Sequence, residues 1–213
     1  MTGAQASTAI SVQPLTAARW PDMVELAGKR GMLAGCWCMW FRRRNADWWA
    51  AGNAGNRDAF QGIVQDERVP GLLAYVDGRA VGWVSLAPRD EYERISGDRD
   101  AAEHGGEKRS VWAIVCFYID HHHRGRGVAT ALLDAAVDYA RREGATLLEA
   151  YPVEPEERMD NASAFTGLRS MFERAGFRET GRFDRWAAAP RASGPDPAAV
   201  HRPPGRPVMR REL

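Results

Sequence analysis

Lysine is almost absent from this sequence. Lys29 and Lys108 are its only lysines, so nearly all of the 29 basic residues are arginine, and against 28 acidic residues they leave a net charge of +1. That balance excludes the strongly basic footprint of a dedicated nucleic-acid-binding protein, though not a small basic pocket. Cysteine is scarce as well. Cys36, Cys38 and Cys116 form no even-numbered disulfide framework and fit a reduced compartment. Cys36 and Cys38 make a lone C-x-C without the second ligand pair that zinc needs, so no metal is expected. No apolar run approaches the length of a membrane span, and the start MTGAQASTAISVQ has neither the basic nor the apolar region of a secretory leader. A soluble cytoplasmic protein is therefore expected, with no membrane or nucleic-acid partner. The bias toward arginine and alanine is that of a bacterium of high GC content.

What is present is concentrated in residues 115–143. The run over 111–119 is nearly all apolar, β-branched or aromatic, and it is short enough for a buried strand. Further on, Leu132, Leu133, Ala136, Val137 and Ala140 recur at helical spacing, with Thr130, Asp134, Asp138 and Arg141 on the other face. Between strand and helix stands Arg124-Gly125-Arg126-Gly127-Val128-Ala129. Glycines at such a turn let a ligand approach main-chain N–H groups closely. With the helix dipole behind them, those groups make an anion cradle suited to a pyrophosphate. The turn has neither the Gly-Lys-Ser/Thr ending of a P-loop nor the three glycines of a dinucleotide fold.

The pattern Arg-x-x-Gly-x-Ala, met by Arg124, Gly127 and Ala129, resembles the acetyl-CoA site of the GNAT superfamily of N-acyltransferases. A second match is Met171-Phe172-Glu173-Arg174-Ala175-Gly176-Phe177, where the family closes its fourth helix with an aromatic residue, three spacers and Gly-Phe. The resemblance covers residues 10–183. It implies a mixed α/β (α+β) acyltransferase fold, a twisted mixed sheet of about seven strands flanked by helices, in which the fourth and fifth strands splay apart to admit the pantetheine arm. It implies acetyl-CoA as co-substrate, held by Phe117, Tyr118, Ile119, Arg124 to Ala129 and Phe172, with a backbone N–H near 117–119 meeting the oxyanion.

Residues 1–9 read as disordered and 10–186 as the acetyltransferase domain. Within it, 10–15 is a first strand, 17–29 a helix with Pro21 in its first turn, and 57–67 another helix. Strands 71–76 and 80–86 are joined by the hairpin signal Asp77-Gly78. A polar segment over 89–108 follows, long enough to be functional. A fifth strand covers 145–153, a helix capped by Asp160 or Asn161 runs through Ala175 to a terminating Gly176, and a sixth strand covers 177–183. The connection 187–207 is rich in Pro and Ala, and 208–213 resembles the last strand of the family, returning to the same domain beside the sixth.

The aromatic stretch GCWCMWFRRRNADWW corresponds to the helices that wall the acceptor pocket in the family. Most of its tryptophans read as core, with Trp37 and Trp40 as candidates for the pocket. Asp90, Glu91 and Tyr92, at the start of the polar segment, are candidates to hold a cationic amine; a solvated loop is the plainer reading of each. The incoming amine must lose a proton before attack. Many family members place a tyrosine donor where this chain has Phe172, and some place a glutamate on the central strand, where 111–119 has no carboxylate. Glu149 is therefore the candidate base, also able to contact the substrate, and Tyr118, Tyr151 or Ser170 the candidate donor. Cys116 could carry an acyl group, although buried strand cysteines usually act as inert small hydrophobes. His121 to His123 read as a solvated turn that can add a contact to phosphate, for which Arg124 and Arg126 are better suited.

The expected activity is acetylation of a primary amine on a small molecule, such as an antibiotic, secondary metabolite or amino-acid-like acceptor. Protein N-terminal or lysine acetylation is the neighbouring alternative. A non-catalytic acyl-CoA-binding module is the alternative of another class. Either a monomer or a homodimer is compatible with the sequence.

Overall fold

The apolar run over 111–119 becomes the central strand of a seven-stranded sheet in the computed structural model, which describes residues 9–96, 110–154, 164–183 and 205–213. The strands are β1 (Ser11–Pro14), β2 (Gly71–Val76), β3 (Arg79–Pro88), β4 (Val111–Ile119), β5 (Leu147–Ala150), β6 (Arg178–Phe183) and β7 (Arg206–Glu212). Their spatial order is β1-β2-β3-β4-β5-β7-β6. Only β4 and β5 pair in parallel; the other neighbours are antiparallel. The last strand thus inserts between β5 and β6, pairing with both.

Two features of β4 create the site. Its register against β3 jumps from Ser85↔Cys116 to Leu86↔Ile114, which leaves Val115 as the extra residue of a β-bulge. Bulges bend a strand and increase its local twist. Pairing with β5 covers only Val111 to Ile114, so residues 115–119 run on with no strand on that side among the described residues. The chain parts there.

Helices cover both faces: α1 (Trp20–Ala27), α2 (Asn45–Gln65), α3 (Val128–Arg142) and α4 (Arg169–Arg174). Leu132, Leu133, Ala136, Val137 and Ala140 of α3 are buried against Leu72, Val84, Leu86 and Ile114 of the sheet, the stripe that their helical spacing predicts. The opposite face is covered by α1 and α2, with Leu15, Met23, Phe60 and Trp83 at its centre. Gly82 lets the first turn of α3 close onto β3, since a Cβ there would meet Val128 Cγ1 at 2.7 Å.

Several boundaries differ from the sequence expectation. The first helix ends at Ala27 with Gly28 (φ +62°) as its cap, short of the 29 expected. The helix expected over 57–67 is the second of two helical stretches within Asn45–Gln65, which a non-helical kink at Gly52 (φ +59°, ψ −165°) separates. The fifth strand is shorter than 145–153, and α4 begins at Arg169. The Asp77-Gly78 hairpin turn has positive φ at both residues, the geometry that suits right-twisted strands. The expected disorder over 1–8, the polar segment over 97–108, the caps Asp160 and Asn161, and most of the 187–207 connection lie outside the described residues.

Candidate active site

The cradle forms where β4 meets α3. Gly125 and Gly127 have φ of +71° and +83°, values that cost an L side chain free energy, and Gly127 is the N-cap of α3. The ladder of α3 opens with Ala131 N–H donating to Gly127 O at 2.9 Å. The N–H groups of Val128, Ala129 and Thr130 therefore precede it without intrahelical partners. The space a Cβ would fill at Gly125 or Gly127 is open, with no atom within 4 Å, and Arg124 and Arg126 are exposed beside it. Arg124 Nε donates to Ile119 O at 3.2 Å, tying the turn to the end of β4. Asp120 braces the preceding turn through His123 Nδ1 at 2.7 Å and His121 Nδ1 at 3.1 Å. Burial alone would raise the Asp120 carboxyl, but the His123 hydrogen bond and the neighbouring imidazoles outweigh it and hold the group below its usual range. Free N–H groups, a helix N-terminus, open space and flexible cations fit the pyrophosphate of a coenzyme A ester.

A cavity of about 270 Å³ lies on the α1/α2 side of the same strand end. Its floor is Cys116, Phe117 and Tyr118 of β4. Met32, Leu33, Ala34, Cys36 and Cys38 make one wall, and Trp40, Trp48 and Phe165 close the rest. The 31–38 loop reaches this shape through positive φ at Met32, Ala34, Trp37 and Cys38, a conformation that costs non-glycine residues on the order of 1 kcal/mol or more each. Side chains of α2 hold it. Trp37 Nε1 donates to Asn53 Oδ1 at 2.6 Å, Asn53 Nδ2 to Lys29 O at 3.1 Å, and Asn56 Nδ2 to Gly35 O at 3.3 Å. A Cβ at Gly31 would strike Trp37 at 2.3 Å.

Three thiols border this cavity. Trp83 Nε1 donates to Cys38 Sγ at 3.0 Å. A hydrogen bond from Cys116, with smaller help from Trp83 and Arg42, lowers the Cys38 thiol against the opposing effect of burial. That same bond and burial push Cys116 up, and burial with the charge of Cys38 pushes Cys36 up to about 12.

Of the residues anticipated from sequence, Trp40, Phe117 and Tyr118 border the cavity, and among the described residues the Tyr118 hydroxyl makes no hydrogen bond. Ile119 sits at the strand end next to the cradle. The others lie elsewhere. Glu149 is buried, with Arg89 Nη1 at 3.3 Å and Arg210 Nε at 2.7 Å, and it accepts a hydrogen bond from Tyr151 OH. Its charge is engaged in a buried network with Tyr151, outside the cavity lining. Glu91 pairs with Arg42 at 2.5 Å and Arg68 at 3.7 Å, and Asp90 is exposed. Tyr92 is fully buried, with its hydroxyl 3.0 Å from Ser85 Oγ, and burial pushes it up to about 12. Trp37 is core and stacks near Trp20 at 5.9 Å between centroids. Phe172 is fully buried between Phe117 and Phe177, at 6.1 and 5.1 Å between centroids, and Ser170 is exposed on α4. The residues that sequence reading missed are Trp48, Phe165 and the apolar Met32 to Ala34 wall. Trp48 carried the same aromatic signal as Trp37, but nothing in the sequence told which of the two faces the cavity.

The model of the acetyltransferase (GNAT) family matches residues 24–177. Among solved structures, the chain is similar to the acetyltransferase yncA from Salmonella typhimurium with its cofactor acetyl-CoA, at 15% identity, covering 96% of this chain and 94% of that one, with a TM-score of 0.55. A GCN5-related N-acetyltransferase from Kribbella flavida is similar at 19% identity, 98% and 100% coverage and a TM-score of 0.54. The polyamine N-acetyltransferase of Drosophila melanogaster, which forms N-acetylagmatine, is similar at 14% identity, 96% and 100% coverage and a TM-score of 0.52. No curated protein matches the sequence.

Proposed function

The chain belongs to the acetyltransferase (GNAT) family, and from that premise we propose that it transfers an acetyl group from acetyl-CoA to a primary amine of a small molecule. The observation that carries this reading is that cradle and cavity meet at one strand end: the glycine turn begins at Arg124, and the cavity floor is Cys116 to Tyr118. The acetyl thioester is what acetyl-CoA supplies. Everything else falls to the protein's own groups.

Val128, Ala129 and Thr130 N–H, with Arg124 and Arg126, hold the diphosphate. The parted end of β4 offers backbone donors toward the reacting carbonyl. Ile119 N–H faces the side beyond the end of β5 by strand alternation, and Phe117 N–H, which faces the same way, donates to Phe165 O at 2.6 Å and reaches the ester only when that bond yields. Preorganised backbone donors of this kind are worth about 3–4 kcal/mol in acyl transfer. Tyr118 borders the cavity, its hydroxyl makes no hydrogen bond among the described residues, and it is the proposed donor to the departing thiolate. No carboxylate borders the cavity among the described residues. The apolar walls do part of a base's work, because burial favours the neutral amine that attacks, and the proton released on attack passes to solvent.

A cavity of about 270 Å³ supports a small acceptor over a protein chain, whose backbone would need a groove. Thiol release from acetyl-CoA with a panel of primary amines tests the proposal. Amine-dependent release is expected. A non-catalytic module would bind coenzyme A and release none.

A further inference from the structure

The cavity is larger than an acetyl group needs, and it opens off the place to which the cradle would deliver a thioester. Phe117 N–H and Phe165 O meet at 2.6 Å across the parting of β4 from β5, and both residues also line the cavity. Strand alternation sends the Cys116 and Tyr118 side chains to the α1/α2 face and the Phe117 ring to the α3 face. A carbonyl held at the parting therefore has Cys116 and Tyr118 as the floor along which its substituent leaves. An acetyl ester puts one methyl group there.

The walls suit methylene groups. Met32, Leu33, Trp40 and Phe165 present aliphatic and aromatic surface, and the cysteines at 36, 38 and 116 act as small hydrophobes. Leu33 at the rim is 50% exposed, whereas Met32 and Cys38 are 9% and 2% exposed, so the space has an open mouth and a closed end. It is also preformed. Asn53 and Asn56 fix the 31–38 loop, and Arg94 holds Trp40, its Nε donating to Trp40 O and its guanidinium lying 3.7 Å from the ring centroid. A rigid wall loses little freedom when it is filled. Each methylene that it removes from water strengthens binding roughly fourfold, whatever else the acceptor site contains. At about 30 Å³ per water-sized volume, the cavity of about 270 Å³ holds roughly nine. A chain of about three to five carbons beyond the carbonyl takes a third to a half of that space and leaves the mouth at Leu33 to the amine.

We infer that the cavity receives the acyl chain of the donor, so that linear acyl-CoA esters of about four to six carbons bind in preference to acetyl-CoA and serve as donors, with Cys116 and Cys36 setting the chain length. The inference rests on the acetyl-transfer reading and extends it to the donor. The chemistry is unchanged: the amine nitrogen bonds to the carbonyl carbon and gives up a proton, the carbon–sulfur bond breaks, and the departing thiolate takes a proton.

Calorimetric titration of acetyl-CoA, butyryl-CoA and hexanoyl-CoA tests the pocket without an acceptor, and thiol release from the same esters with a panel of primary amines tests transfer. The wild type, Cys116→Phe and Cys36→Leu are compared, with thermal unfolding showing which variants are folded. The two replacements fill the cavity from floor and loop, so one remains if the other fails to fold. In the wild type butyryl-CoA should bind roughly tenfold more tightly than acetyl-CoA, the gain of two buried methylenes. Hexanoyl-CoA should bind at least as tightly as butyryl-CoA, and both should release thiol when an amine is present. In each folded variant the hexanoyl-to-acetyl affinity ratio should fall by roughly the same tenfold. Equal affinity for the three esters, with amine-dependent release from acetyl-CoA, would overturn the inference and leave acetyl transfer standing. So would a chain-length gain that survives in every folded variant, or release confined to acetyl-CoA. A gain without release from any ester would support the pocket and overturn the transfer reading, and no binding of any ester would overturn both.

Discussion

The backbone N–H of Phe117 donates to the carbonyl of Phe165 at 2.6 Å, across the gap that opens where β4 outlasts β5. That N–H is one of the two that the strand directs into the parting, so the segment carrying Phe165 and a coenzyme A ester compete for it. Binding of acetyl-CoA should therefore shift the Phe117 amide resonance among the most of any in β4 and change its hydrogen-exchange protection. An unmoved Phe117 amide at saturating acetyl-CoA would place the pantetheine arm elsewhere.

Glu149 is expected to act on stability rather than turnover chemistry. Arg89 and Arg210 both lie within 3.3 Å of its carboxylate, and the residue is 1% exposed. Glu149→Gln removes the charge that compensates two guanidiniums, and breaking a buried pair in this way costs about 3–5 kcal/mol. Urea unfolding should show a loss of that order, with acetyl-CoA affinity preserved in the folded fraction. A variant of wild-type stability that had lost turnover would instead identify Glu149 as the base.

The thiols should be slow to react in the folded protein. Cys38 is 2% exposed, and although Cys36 is less buried, burial and the charge of Cys38 push its thiol up to about 12. Thiolate is the nucleophilic form and needs access to react. Iodoacetamide near neutral pH should thus label both slowly in intact protein and quickly after unfolding, as read by peptide mass spectrometry. Rapid labelling of Cys38 in the folded protein would contradict its burial.

Asp120 predicts a weak acid limb in stability. Its folded pKa lies below the ordinary value because the His123 bond and nearby imidazoles outweigh burial. A depressed carboxyl stabilises the fold above its unfolded pKa of about 3.9, and the contribution is lost as pH falls through the lower folded value. Since the group is partly solvated, the effect should stay under about 1 kcal/mol. Asp120→Asn should flatten thermal stability between pH 5 and 3 by that amount; a larger loss at pH 7 would mean that the turn depends on Asp120 for its shape.

How much of this could be read from the chain depends on the residue. The Val111–Ile119 strand, the glycine turn and the Val128–Arg142 helix were legible because each is a local signal: an apolar run, positive-φ glycines and a 3.6-residue stripe. The cavity was not. Its wall takes left-handed backbone at Met32, Ala34, Trp37 and Cys38, residue types that do not announce such geometry, and it is imposed by Asn53 and Asn56 from the next helix. Glu149 looked like an available base because its partners Arg89 and Arg210 stand about sixty residues away on either side. Phe172 matched the family's position in sequence, and only the packing of Gly167 against it, where a Cβ would come within 2.8 Å, shows how tightly that position is closed.

Calorimetric titration of acetyl-CoA into the wild type and Gly127→Glu asks whether the turn from Arg124 to Ala129 holds the cofactor. Glutamate would fill the open space before Gly127 with a side chain of the wrong charge and strain its left-handed backbone. Thermal unfolding confirms beforehand that the variant is folded. Micromolar binding to the wild type and a loss of roughly a hundredfold in the variant, about 2.7 kcal/mol, are expected. Equal binding to both, or none to the wild type, would contradict that placement of the cofactor.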